Sequence, residues 1–226
     1  MTVRCRKLTL FALAGVFTAP NFMDEFLAET ARRCERAGWD VTSFSLMPYG
    51  DWTRSKLRQA AEVAADACAP VVGGKRAAAE AARLCGAPSS CGAVALVGHS
   101  GGGVAAAHAA DELSKRGYRI GAVAMIGSPK TPLPRGIRSK TAFFYAADAR
   151  GMPADPIARI GAWATRTPAR AMGLKLIGGH RDYFRSHAPF LSADGRSNLT
   201  ASTEAAAAWV LEALASERDG APSGEE

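Results

Sequence analysis

The sequence predicts an α/β protein with a mostly parallel, six-stranded sheet covered by helices on both faces. Three observations carry this expectation. Continuous apolar runs of strand length recur along the chain, as strands buried on both faces require. Between them lie segments whose apolar residues fall at helical spacing. The two kinds alternate, which is the pattern of successive strand–helix–strand crossovers. The chain has 226 residues, 48% of them hydrophobic and 22% charged, an ordinary globular composition. That length buries a core without a disulfide or metal staple.

Taken in order, Leu8–Phe17 reads as the first strand. Asn21 then resembles an N-cap, with Asp24 three residues on and apolar positions Phe22, Phe26, Leu27, Ala31 and Cys34 on one face. Gly38 supplies the stop. The second strand is Trp39–Leu46, ended by Pro48-Tyr49-Gly50. A helix is expected over Thr53–Cys68 and an alanine-rich one over Lys75–Leu84. Gly92–Val97 is the third strand, followed by a helix over Gly101–Arg116 that Gly117 closes. Tyr118–Ile126 and Thr141–Ala146 are the fourth and fifth strands. A helix near Pro156–Ala164 precedes a sixth strand at Leu174–Ile177, and an amphipathic helix covers Ser202–Ser216. No interior linker or repeat interrupts this order, so residues 1–216 read as one domain. The polar stretch 217–226 reads as a disordered tail.

The formal charge of +7 comes from basic residues scattered along the chain, without a basic stripe interleaved with aromatics. This argues against a nucleic-acid partner and for a solvated basic surface that favours anionic substrates. The cysteines number five, an odd count with no Cys-x-x-Cys, which points to reduced thiols rather than a disulfide framework or a zinc site. No later stretch is long and apolar enough to span a membrane. Arg4, Arg6 and Lys7 before the run Leu8 to Ala19 resemble a short signal peptide, which leaves secretion open. Phe17 is a poor residue for the cleavage site, and the run serves as a sheet strand, so a cytoplasmic location is expected. No oligomeric state is read from the sequence.

The chemistry concentrates at Gly98-His99-Ser100-Gly101-Gly102, a Gly-x-Ser-x-Gly pattern between the run Ala93–Val97 and an alanine-rich helix. A strand-to-helix turn this tight brings the positions two before and two after the serine against neighbouring backbone, so both must be glycine. The serine is left on a strained turn with its hydroxyl above the sheet, at a helix N-terminus that favours developing negative charge. Gly-x-Gly-x-x-Gly is absent at the first strand. Gly73-Gly74-Lys75 lacks the following hydroxyl residue, so dinucleotide and P-loop readings both fail.

With this motif in this setting, the chain resembles the α/β-hydrolase superfamily from Leu8 to about Ala215, as a minimal version lacking the leading antiparallel strands. The resemblance implies a nucleophile, an acid and a histidine in that chain order, the last two on loops at strand C-terminal ends. Ser100 is then the nucleophile, Asp148 just past Thr141–Ala146 the acid, and His180 after Gly178-Gly179 the base. Asp155 is the rival acid, although Asp155-Pro156 also reads as an N-cap before a first-turn proline. Asp182 lies too close to His180 to orient it easily. His99 is expected to point away from the hydroxyl, with His108 and His187 as bystanders. The resemblance further implies an oxyanion hole from the Gly101 amide and one from Val16 or Phe17. Phe17, Met152 and Tyr183, together with Met23, Trp163, Met172 and Phe184, suggest an apolar acyl pocket. The expected activity is cleavage of a small or medium ester or thioester, with neither cofactor nor metal. A non-catalytic binding protein on the same fold and an acyltransferase using the same residues are the alternatives.

Overall fold

A computed structural model describes residues 6–50, 55, 61–62 and 72–219. Its sheet forms where the apolar runs are. β1 (Arg6–Leu13) is buried from Leu8 onward and sits between two partners, β2 (Trp39–Leu46) and β3 (Ala93–His99). β4 (Arg119–Ile126), β5 (Thr141–Ala146) and β6 (Arg170–Leu174) extend the sheet in the order β2-β1-β3-β4-β5-β6. Every neighbouring pair is parallel. The expected six-stranded parallel sheet with helices on both faces is therefore what the chain forms.

Alternation along the strands divides the core into two layers. Leu8, Leu10 and Ala12 of β1, with Ala95 and Val97 of β3, face α1 (Asp24–Arg36) and the C-terminal helix α4 (Asn198–Asp219). Phe11 and Leu13, with Val94 and Leu96, face α2 (Gly73–Cys85) and α3 (Gly101–Lys115). The α2–α3 contact is made by small residues, Ala77, Ala78 and Ala81 against the buried alanines of α3. Trp209 of α4 donates its indole N–H to the Val123 carbonyl at 2.9 Å, fixing that helix across β4. No helix among the described residues is long and apolar enough to cross a membrane.

The structure corrects several boundaries. The first strand ends at Leu13, and Ala14–Phe17 is a loop. The sixth strand is Arg170–Leu174, not Leu174–Ile177. As an edge strand it is exposed over its first four residues, so no apolar run marks it. The helix expected near Pro156–Ala164 is only a 3-10 turn, Ile157–Arg159. The last helix starts earlier and runs through Asp219, so the first residues of the expected tail are helical, and 220–226 lie outside the described residues. The helix expected at Thr53–Cys68 also lies outside them, apart from positions 55, 61 and 62.

The cysteines depart from expectation too. Cys85 and Cys91 form a disulfide with Cα atoms 5.1 Å apart, because the short connection from α2 to β3 folds back on itself. Cys34 is a free thiol in the core, and burial pushes its pKa up to about 11.

Candidate active site

In a parallel sheet a ligand crevice opens beyond the strand C-termini where the order of connections reverses. Here that point lies between β1 and β3, and Ser100 stands on it, directly after β3. Its backbone has φ 57° and ψ −132°, a region that L-residues adopt only when the surroundings enforce it. The enforcement is visible. The Ser100 amide donates to the Ile126 carbonyl at 3.0 Å, and its carbonyl accepts from Gly103 at 3.0 Å as α3 begins. A Cβ on Gly98 would overlap the Gly102 carbonyl, and one on Gly102 would overlap the Leu13 carbonyl. The two glycines of the motif thus let α3 start flush against β1 and β3.

His180 lies on the loop after β6. Its Nδ1 is 2.7 Å from Asp155 Oδ2, and Asp155 is wholly buried behind the imidazole. The same oxygen accepts from the Tyr183 hydroxyl at 3.0 Å, while Oδ1 accepts from the Ile157 amide at 2.8 Å. Burial opposes ionisation of Asp155, but hydrogen bonds from His180, Ile157 and Tyr183 outweigh it and hold the carboxyl below the usual range. An ionised Asp155 can only accept, so His180 Nδ1 carries the proton and Nε2 is left as the basic nitrogen. Tyr183 in turn accepts from the Ala146 amide at 2.8 Å, tying the network to the end of β5.

The carboxylate beside His180 is therefore Asp155, not Asp148. Asp148 is exposed, and its Oδ1 accepts from the amides of Arg150 and Met152, both at 2.9 Å, which closes a turn. That turn makes a short excursion. Ala147 pairs with Pro153, and the Ala154 amide returns to the Ala146 carbonyl at 2.7 Å. The chain comes back to the tip of β5, and Asp155 occupies the strand-end position that Asp148 holds only in sequence. Asp182 also has a local task, accepting from the Gly179 amide at 2.8 Å to close the His180 loop.

Two supporting residues were not anticipated. His99, expected only to point away from the hydroxyl, packs against His180. Its Nε2 lies 3.0 Å from the His180 carbonyl, and its ring stacks on that of His180 at 4.7 Å with a 26° interplanar angle. Burial, then the proximity of His180, pushes the His99 pKa down to about 3, so it is neutral. Being neutral and bonded to a carbonyl, it presents Nε2–H as donor. Asn198 pins the other side of the loop, since its side chain accepts from the Ile177 amide and donates to the Ile177 and Asp182 carbonyls. Nothing in the sequence marked Asn198, because the side chain acts entirely on backbone groups distant in sequence.

Ser100, His180 and His99 share the wall of one cavity of about 430 Å³ with Val16, Phe17, Phe22 and Ile157. Val16 and Phe17 line the cavity with the serine, and Phe17 has a positive φ of 60°. Gly15 makes the approach possible, because a Cβ there would stand 2.7 Å from that of Ser100. Gly101 is buried at the N-terminus of α3. The remaining pocket expectations are corrected. Tyr183 is fully buried in the Asp155 network, and Met152 is 60% exposed outside the cavity. Met23 and Phe184 are core, Trp163 packs on Phe143, and Met172 lies on β6. Among the described residues no cluster of three metal-ligating side chains occurs.

A doubly wound parallel α/β protein with a strained serine at its switch point is what the fold and site define. No protein-family model matches the chain, and no curated protein matches it. Among solved structures it is similar to a candidate hydrolase of the alpha/beta superfamily from Xanthomonas campestris pv. campestris. The identity is 21%, the match covers 92% of this chain and 98% of that one, and the TM-score is 0.47. It is also similar to a thioesterase of the prodiginine biosynthetic pathway in Streptomyces coelicolor, at 18% identity over 73% of this chain and 76% of that one, TM-score 0.46. A Trichoderma reesei cutinase matches at 15% identity over 93% of this chain and 77% of that one, TM-score 0.42.

Proposed function

We propose that this protein is a serine hydrolase of the α/β-hydrolase kind, cleaving a carboxylic ester or thioester through an acyl-enzyme on Ser100. The observation that carries the reading is the 2.7 Å bond from His180 to the buried Asp155, in a histidine that shares a cavity wall with a serine at φ 57°. The chain order serine, acid, histidine is retained with Asp155 in place of Asp148.

In this mechanism Ser100 Oγ attacks the substrate carbonyl carbon as His180 Nε2 takes its proton. Asp155 keeps the imidazole in the required tautomer and stabilises the imidazolium. The tetrahedral oxyanion receives the Gly101 amide and the Val16 amide, each worth about 3 kcal/mol of barrier. His180 then passes its proton to the departing alcohol or thiol as the carbon–oxygen or carbon–sulfur bond breaks. Water enters, His180 takes a proton from it, the acyl group leaves as a carboxylic acid, and Ser100 regains its hydrogen.

The test is steady-state hydrolysis of para-nitrophenyl hexanoate and of a hexanoyl thioester by the wild type, Ser100→Ala and His180→Ala. Either substitution should lower kcat by roughly a thousandfold or more with correct folding retained. Undiminished hydrolysis by Ser100→Ala would refute the reading.

A further inference from the structure

The cavity wall combines apolar and cationic side chains. Arg181 and Arg185, both exposed and on the same loop as His180, line it together with Phe17 and Phe22, and no Asp or Glu is among its lining residues. Asp155 is sealed behind His180 with no exposed side-chain surface and offers the cavity nothing. Arg185 has a loose partner, its Nε lying 3.7 Å from Asp182 Oδ1, which leaves most of its five donors uncommitted. Among the described residues no carboxylate forms an ion pair with Arg181.

This arrangement has an electrostatic consequence for the proposed reaction. His180 must become positively charged in the transition state, and two further positive charges stand on its own loop. With a neutral substrate they oppose that step. With a substrate bearing negative charge they are offset, and low-dielectric walls strengthen the attraction.

Resting on the serine-hydrolase reading, we propose that the substrate carries an anionic group, a carboxylate or phosphate, received by Arg181 and Arg185 while its acyl chain lies against the apolar side chains. Charge-assisted, bidentate bonds from guanidinium suit both anions. The anion sits either at the far end of the acyl chain or on the leaving group.

Two matched pairs of probes separate these sources. The first is para-nitrophenyl hexanoate against the para-nitrophenyl monoester of adipic acid, which differ only by a terminal carboxylate. The second is hexanoyl-N-acetylcysteamine against hexanoyl-coenzyme A, which places phosphates on the leaving group. The anionic member of at least one pair should have the higher kcat/KM, by about tenfold and mainly through KM. That ratio should fall towards one in Arg181→Gln combined with Arg185→Gln, and Arg181→Glu should invert it. A preference in the first pair assigns the anion to the acyl chain and one in the second to the leaving group. Turnover of the neutral probes that depends on Ser100, with no preference in either pair, overturns the anionic substrate and leaves the hydrolase reading standing. Absence of turnover with all four probes and of fluorophosphonate labelling overturns both.

Discussion

Asp155 divides its carboxylate between two tasks. Oδ1 caps the 3-10 turn at Ile157, and Oδ2 takes His180 and Tyr183. The cap was legible in the sequence, because Asp-Pro before a helical segment is a familiar signature. The bond to His180 was not, because it depends on the Ala147–Pro153 excursion returning the chain to β5. Asp155→Asn keeps the shape and loses the charge, so it should lower kcat/KM by about a thousandfold to ten-thousandfold. Asp148→Asn changes only an exposed turn and should stay within about twofold. Steady-state kinetics on one ester decide between them. His99 supports a second prediction. Its pKa falls from 6.5 unfolded to about 3 folded, so below 6.5 the unfolded chain binds a proton that the native state refuses. Stability attributable to this residue is full above that value and declines as pH drops towards about 3. His99→Phe, which keeps a stacking ring, should be less stable near neutrality by about 1 kcal/mol through the lost bond to the His180 carbonyl. It should gain on the wild type steadily below pH 6.5, as denaturant titrations across that window would register. Parallel curves would mean His99 is not held neutral.

At the scale of elements, the tight seating of α3 decides where Ser100 stands. Gly102 lies against the Leu13 carbonyl and Gly103 against the Ser128 hydroxyl, so the helix touches backbone that a methyl group would displace. Gly102→Ala should cost about 2–3 kcal/mol of stability, read from urea midpoints, and reduce activity beyond that loss because Ser100 shifts with the helix. A midpoint unchanged in the variant would contradict the packing. The elements most legible in the sequence were those with unambiguous periodicity. β2 and β5 match residue for residue, since continuous or alternating runs with sharp stops bound them. β6 escaped because an edge strand has little burial to write into its residues, and Leu176 and Ile177 beyond it imitate a strand, although Leu176 packs on the core from a loop and Ile177 is exposed. The Cys85–Cys91 pairing was likewise hidden, since a count of cysteines says nothing about which two a turn brings together.

For the whole molecule, the sheet order explains why one motif located the site. Reversal of connections between β1 and β3 opens the crevice; loops after β1, β3 and β6 contribute Val16, Ser100 and His180 to its rim, and the loop after β5 sets Asp155 behind His180. β1 pairs with both neighbours and carries Val16 on its loop, so the run Leu8–Ala19 is integral to both sheet and site. On this reading the assembly activates one serine. Intact-mass analysis after exposure to a fluorophosphonate, for wild type, Ser100→Ala and Asp155→Asn, tests it without a guess at the substrate. A single adduct should form on the wild type and none on Ser100→Ala, with much slower formation on Asp155→Asn. A folded wild type that takes no adduct, or an adduct that persists in Ser100→Ala, would contradict it.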